Sequence, residues 1–467
     1  MQDTRYRIQD TGYRIQDAGY RIQDAGYKIR DTGYRMRILL FLVICILYFV
    51  PVVCAMCHTL SVGHLTPARN SRTFLLITDL SSLGPVVNAV FYDDEGREVS
   101  VCHKLLPPNG KIQIDVENYL QSAGTIILES SSEQIAGEYW QINENGAMFM
   151  LPFQSPGEGG RYFVNCFRFS SCTSNLLVLS DPNGDGPEVQ MEFYDRTGEL
   201  IKIARKLLRP HGMLAFEVNE YAPWDVLGKV SIRSFRGDIV LHYRQLCGDK
   251  VVFAAPARLP ARELFIDRFS TGNKITGSLV ITDTSAEGPA TEIQFLSDSG
   301  AELSEKLLPP NGVMLIDPGD YPEINSNVDN GIIHISSRTG IIADYWEKNL
   351  QAVYYTPAVD AIGRDLFISH FSPFDETRNL LSLLSVGRKS AKVSIQFYSN
   401  DGRELGTKEL SLEPYKRVDE MVDGYFGGTR LGTIIVRGAN ASLVVTSHIF
   451  DIESGRRLGR AQARVIR

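Results

Sequence analysis

The chain has 467 residues, 43% of them apolar and 22% charged, an ordinary globular composition with room for three or four domains. Its formal net charge is −7; the first 55 residues, with eight Lys/Arg and five Asp, carry +3, so the remainder carries −10. An acidic body argues against nucleic acid, whose phosphates need a basic surface, and against an anionic membrane surface.

Residues 1–35 hold a seven-residue unit, Tyr-Arg-Ile-Gln-Asp-Ala/Thr-Gly, marked by Tyr6, Tyr13, Tyr20, Tyr27 and Tyr34. A coiled coil is not expected, because Gly12, Gly19, Gly26 and Gly33 recur once per heptad and each costs a helix about 1 kcal/mol. The stretch reads either as a disordered low-complexity leader or as sequence upstream of a true start at Met36. Residues 36–55 read as a signal peptide. Arg37 supplies the positive end, Ile38 to Val50 is an unbroken apolar run, Pro51 stops it, and Val53 and Ala55 fit the small-residue cleavage pattern. Cleavage there predicts a mature start at Met56. The alternative is an uncleaved anchor, since the apolar stretch through Cys57 is about 20 residues, enough to span a bilayer. In both cases the body is expected to be extracytoplasmic (secreted, periplasmic or at the cell surface), touching a membrane only through the leader.

The body repeats itself. Phe-Tyr-Asp-Asp-Glu-Gly-Arg-Glu at Phe91–Glu98 returns in altered form at Phe193–Leu200, Phe295–Glu302 and Phe397–Glu404, with the phenylalanines and the glycines Gly96, Gly198, Gly300 and Gly402 each 102 residues apart. Lys-Leu-Leu-Pro-Pro-Asn-Gly at Lys104–Gly110 recurs at Lys306–Gly312, is Lys-Leu-Leu-Arg-Pro-His-Gly at Lys206–Gly212, and has decayed around Pro414. A third mark is a glycine followed by an apolar strand, at Gly124, Gly228, Gly331 and Gly432. The repeats are bounded at 56–155, 156–258, 259–361 and 362–467.

Within a repeat, Ile293 and Phe295 alternate with Glu292 and Gln294, the period of a strand with one buried face. The repeated glycine closes a hairpin, where positive φ is cheap only for glycine, and Pro-Pro-Asn-Gly makes a second turn. Such strands and turns alternate throughout, with no convincing amphipathic helix. The fold class expected is all-β: four tandem antiparallel β-sandwiches of about 100 residues with seven or eight strands each. In size and turn rhythm the units resemble the immunoglobulin-like or fibronectin-type-III-like repeats of bacterial secreted and cell-surface proteins. That resemblance implies stalk, adhesion, matrix or accessory binding roles, although the Cys…Trp…Cys mark of true immunoglobulin domains is absent.

Three groups of residues are candidate sites. Asp181, Asn183 and Asp185 form an acidic loop with the spacing of a calcium site; Glu192 completes an EF-hand pattern, but the flanks read as strands, so Glu192 is not expected to bind metal. The alternative is a polar turn, and any calcium would be private to the second repeat, because the loops at Asp79 and Asp283 lack the triplet. No other cofactor is indicated. Trp140 and Trp346 lie one residue after Tyr139 and Tyr345 on corresponding strands. If the tyrosines face the core, the indoles approach the surface, where they could stack on a sugar; the alternative is packing against the neighbouring repeat. Cys166, Cys172 and Cys247 offer a Cys166–Cys247 or a Cys172–Cys247 disulfide, or remain free buried thiols.

Catalytic marks are missing: no Gly-x-Ser-x-Gly, no His-Glu-x-x-His, no glycine-rich phosphate loop, and eight scattered histidines. The expectation is a non-enzymatic structural or adhesive protein whose partners are envelope or extracellular proteins or polysaccharide. Carbohydrate binding through exposed aromatics is the alternative, and an enzyme with a divergent site the third.

Overall fold

The computed structural model describes residues 58–466 apart from 66–70, 144–145, 147, 158–159, 168–172, 222–226, 248–249, 272–275, 298–299, 322–330, 349–352, 360–362, 440–441 and 454–456. The leader at 1–35 and the signal segment at 36–55 lie outside the described residues. Cys57–Arg467 forms one compact unit.

The first repeat contains eight strands: β1 (His58–His64), β2 (Arg72–Asp79), β3 (Val86–Asp93), β4 (Glu98–Leu105), β5 (Lys111–Asp115), β6 (Gly124–Ser130), β7 (Ile135–Ile142) and β8 (Met148–Pro152). They make two antiparallel sheets, ordered β1-β6-β3-β4 and β5-β2-β7-β8. The period-two pattern decides which side chains meet. On β3, Val87, Ala89 and Phe91 are buried, whereas Asn88 and Tyr92 are half-buried on the other face. Phe91 joins Leu75, Ile77, Ile126, Leu128 and Tyr139 between the sheets. Each such side chain stabilises the sandwich by about 1.5–3 kcal/mol on burial.

The second repeat copies this plan with β9 (Arg161–Phe167), β10 (Thr173–Ser180), β11 (Glu188–Asp195), β12 (Leu200–Leu207), β13 (Met213–Glu217), β14 (Leu227–Phe235), β15 (Val240–Cys247) and β16 (Lys250–Pro256), ordered β12-β11-β14-β9 and β13-β10-β15-β16. In the third repeat the sixth and seventh strands run on as one, Gly331–Lys348, which joins both layers into a seven-stranded sheet. The fourth returns to two sheets, with Arg464–Val465 added beside Asp365–Phe371. The four-sandwich expectation holds. The strand order is its own: in an immunoglobulin sheet the first strand pairs with the second, whereas here β1 pairs with β6 and β2 with β5 and β7.

The repeated turns have the expected backbone. Gly96, Gly198 and Gly402 have φ of 82°, 92° and 84°, and the second turn is left-handed at Asn109, His211, Asn311 and Tyr415, with φ of 56–57°. These two turns also touch one another across repeats. The Met213 N–H donates to Asp94 O at 3.2 Å, Val313 N–H to Arg196 O at 2.9 Å, and Lys111 N–H to Asn400 O at 2.7 Å. The hairpins of the first and second repeats thus seat on the proline turn of the next repeat, and the hairpin of the fourth seats on the first. A Cβ at Gly96, Gly198 or Gly402 would overlap the carbonyl oxygen of Pro210, Pro310 or Pro108. Each sandwich contacts the next and the fourth contacts the first, so the four form a closed ring, the closed form of a head-to-tail contact.

Candidate functional site

The polar residues that the fold brings together lie at the junctions of this ring. One position on the first strand of each repeat, Gly63, Asn165, Asp267 and Ser369, faces the second sheet of the following repeat. The partner chemistry differs at every junction.

Between repeats one and two, Gly63 O accepts from Arg244 Nη2 at 3.2 Å, and Cβ at Gly63 would lie 2.7 Å from Val178 Cγ1. Between two and three, Asn165 Nδ2 donates to Asp344 Oδ2 at 2.7 Å, while Asn165 Oδ1 accepts from Thr282 Oγ1 at 2.5 Å. Lys229 Nζ adds a bond to Asp283 O at 2.6 Å. Between three and four, the Asp267 carboxylate takes Arg460 Nη2 at 2.5 Å, His448 Nε2 at 3.3 Å and the Thr446 hydroxyl, and its carbonyl accepts from Arg417 Nη1 at 2.8 Å. At the closing junction, Lys111 Nζ donates to Ser369 Oγ at 2.5 Å and Gly432 O at 2.7 Å.

These groups are buried, and their charges are perturbed accordingly. Burial pushes Lys111 down to about 8, partly opposed by Glu138, and pushes Lys229 down to about 7. Arg244 is fully buried with no carboxylate partner among the described residues; it lies against the Tyr139 and Phe149 rings at 5.4 and 5.7 Å. Burial opposes ionisation of Asp267, yet Arg460 and His448 hold it well below the usual carboxylate range. Burial keeps His64 and His370 neutral, with values near 3, and His448 near 4. Such clusters hold one repeat to the next in one register.

Trp140 and Trp346 belong to these junctions and not to the surface. They are 0% and 3% exposed. Trp140 packs on Phe371 of the fourth repeat at 4.8 Å and donates Nε1–H to Glu138 Oε2 at 3.0 Å; Trp346 packs on Phe253 of the second repeat at 4.6 Å. Tyr139 and Tyr345 face their own cores, and the neighbouring repeat covers the face that carries the two indoles.

The Asp181 carboxylate accepts backbone hydrogen bonds. Its Oδ1 accepts the N–H groups of Asn183 and Gly184 at 3.2 and 3.1 Å, and its Oδ2 those of Gly186 and His211 at 2.8 and 3.3 Å. Asp79 and Asp283 make the same Oδ2 bonds, to Gly84 and Asn109 and to Gly288 and Asn311. The aspartate therefore ties its own loop to the proline turn in three repeats. Asn183 Nδ2 donates to Asp238 Oδ2 at 3.1 Å, and Asp185 joins no group of three or more His, Cys, Asp or Glu arranged to hold a metal among the described residues.

Cys166 is a free thiol in the core of the second repeat, and burial pushes it up. It does not form the Cys166–Cys247 bridge; the Cys172–Cys247 alternative falls on side chains that are not described. Cys172 and the side chain of Cys247 lie outside the described residues.

Sequence reasoning missed Lys111, Arg244, Asp267 and His448. Stacking the repeats at 102-residue spacing aligns Gly63, Asn165, Asp267 and Ser369 in one column. Polar variation there, among strand positions otherwise apolar, was the available signal.

No known family and no curated protein matches the chain. Among solved structures, Thermotoga maritima 1070 aligns at 17% identity over 22% of this chain and 94% of its own, with a TM-score of 0.20. A calcium-binding mutant of Bacteroides uniformis β-glucuronidase 2 aligns at 8% identity over 70% of this chain and 26% of its own, with a TM-score of 0.13. Streptomyces avermitilis α-L-rhamnosidase complexed with L-rhamnose aligns at 9% identity over 83% of this chain and 55% of its own, with a TM-score of 0.15. None of these likenesses carries a fold or an activity over to this chain.

Proposed function

We propose that the chain is an exported, non-enzymatic structural or interaction protein of the cell envelope or extracellular space. The observation that carries this reading is the closure of the ring. The buried titratable groups that would ordinarily point to a reaction centre, Lys111, Arg244, Asp267 and His448, are engaged in joining one repeat to the next. A closed ring offers partners a stiff platform with fixed spacing between four related surfaces, in place of a flexible string. The resemblance to bacterial surface repeats supports the same role through size and turn rhythm, and the apolar run Ile38–Val50 supports export. Sugar stacking on Trp140 or Trp346 would need a junction to open.

The test is fractionation of cells expressing the full chain, with N-terminal sequencing of the exported form. A product beginning at Met56 outside the cytoplasm is expected; quantitative retention in the cytoplasm overturns export. Turnover of any glycoside or ester by the purified ring, abolished by a single substitution, overturns the non-enzymatic part.

A further inference from the structure

The face of the sheet containing β9, β14, β11 and β12 that meets the next repeat through Asn165 and Lys229 carries, on its exposed part, one row of directly opposed residues: Arg161, Arg233, Gln190 and Arg205. The same row in the third repeat is Glu263, Ser336, Glu292 and Glu305. Three arginines thus stand where the adjacent repeat has three glutamates. The first and fourth repeats are mixed, with Thr59, Glu129, Asn88 and His103 in one and Asp365, Arg437, Ser394 and Glu409 in the other.

Like charges placed opposite one another weaken a sheet, and internal partners relieve them only in part. Arg161 pairs with Glu192 at 2.5 Å, and Arg205 Nε donates to Gln190 Oε1 at 3.1 Å. Arg233 has no ion pair or hydrogen bond among the described residues and lies 5.1 Å from the Phe235 ring centre. In the third repeat Glu263 meets His334 at 2.9 Å, while Glu292 and Glu305 have no ion pair among the described residues. A shallow concavity of about 250 Å³, lined by Arg161, Gln190, Glu192, Ser231 and Arg233, opens on the basic row. Beside the two rows, at the ends of the unpaired edge strands, Leu207 and Leu307 are 75% and 73% exposed.

We propose that a second copy of this chain docks on this face, its third-repeat glutamate row lying on the second-repeat arginine row and the reverse contact forming at the same time. A contact between two identical rings about a two-fold axis must be self-complementary. Adjacent repeats with opposite charge at equivalent positions satisfy that condition: an axis midway between repeats two and three sets each row on its opposite. That axis uses both rows, so assembly stops at two copies. It also covers the two leucines, which gives the contact an apolar component beside its charges. The charge rows set register and make the contact sensitive to salt.

The test is sedimentation of residues 56–467, the compact body without its leader, at low and high salt. A dimer is expected at low ionic strength, weakened roughly tenfold or more at 1 M salt, where screening acts over about 3 Å. Arg205→Glu with Arg233→Glu, and separately Glu292→Arg with Glu305→Arg, each give a monomer. Mixing the two variants in equal amounts restores a heterodimer, because the reversed rows are then again opposite in sign at the substituted positions. These side chains are exposed, so the variants should melt with the parent; if a reversal fails to fold, Arg233→Gln and Glu292→Gln ask the same question through weakened dimerisation. A parent that stays monomeric at low salt, a dimer that survives both reversals, or a mixture that stays monomeric overturns the proposal.

Discussion

Asn400 O of the fourth repeat accepts the Lys111 N–H of the first at 2.7 Å, repeating the bonds from Met213 to Asp94 and from Val313 to Arg196. The closing contact is therefore made like those between sequence neighbours. Gly402 makes it possible, since its φ is 84° and a Cβ there would overlap Pro108 O. Gly402→Ala should open the ring between repeats four and one. Positive φ alone costs a non-glycine residue about 1–3 kcal/mol, and the overlap adds to it. The expected result is a lower melting temperature with a larger hydrodynamic radius. Gly387→Ala, where the nearest atom to an added Cβ is 3.9 Å away, is the control and should change neither. An unchanged radius for Gly402→Ala would sink the idea that this joint closes the ring.

Trp140 and Trp346 should behave as core residues. Removing a buried tryptophan costs about 3–5 kcal/mol, and Trp140→Ala also removes one of the two rings that pack on Phe371 of the fourth repeat, leaving Phe74. Thermal unfolding should show that loss, with no change in retention on polysaccharide matrices. A Trp140→Ala protein that melts with the parent but loses affinity for a sugar would place the indole at an open site after all.

Much of the fold was legible because it is local. Phe91, Phe193, Phe295 and Phe397 declare their strands through period-two alternation, and all four are fully buried. Gly96 declares a turn. What a sequence does not display is that this turn touches Pro210 of the next repeat, because two motifs separated by a whole sandwich carry no mark of contact. The same non-locality explains the tryptophans: their outward phase is a property of one strand, their burial a property of the next repeat. The bonds of Asp181 were hidden for another reason: its partners are backbone N–H groups, which every residue but proline has and which no residue type marks.

Asp181→Ala should destabilise the second repeat as Asp79→Ala and Asp283→Ala do theirs. Each removes an acceptor from several backbone N–H groups and costs about 1–3 kcal/mol. The three variants should lose comparable amounts in denaturant unfolding, and calcium should leave the parent's melting temperature where it was. A calcium-dependent rise that Asp185→Ala abolishes would return the loop to metal binding.

Acid should loosen the ring through its buried histidines. His64 and His370 have folded values near 3 and His448 near 4, against an ordinary value of 6.5, burial being the main cause in each. Burial, with Arg244 nearby, also lowers His242. Below pH 6.5 the unfolded chain binds protons that the folded ring refuses, so this part of the stability is full above 6.5 and is lost as pH falls toward 4 and below. At pH 5 a histidine with a folded value near 3 contributes a loss of about 2 kcal/mol. The depressed Lys111, near 8, acts with the same sign in a higher window, adding stability as pH rises from 8 toward 10.5. Melting temperature should therefore climb from pH 4 through neutrality and on past pH 8. His370 stacks on Phe426 with ring centres 3.7 Å apart, so His370→Phe preserves an aromatic contact while removing the titration. That variant should keep about 2 kcal/mol more of its stability on going from pH 7 to pH 5 than the parent does. Parallel melting curves for the two proteins across that range would show that His370 is not among the groups that sense acid.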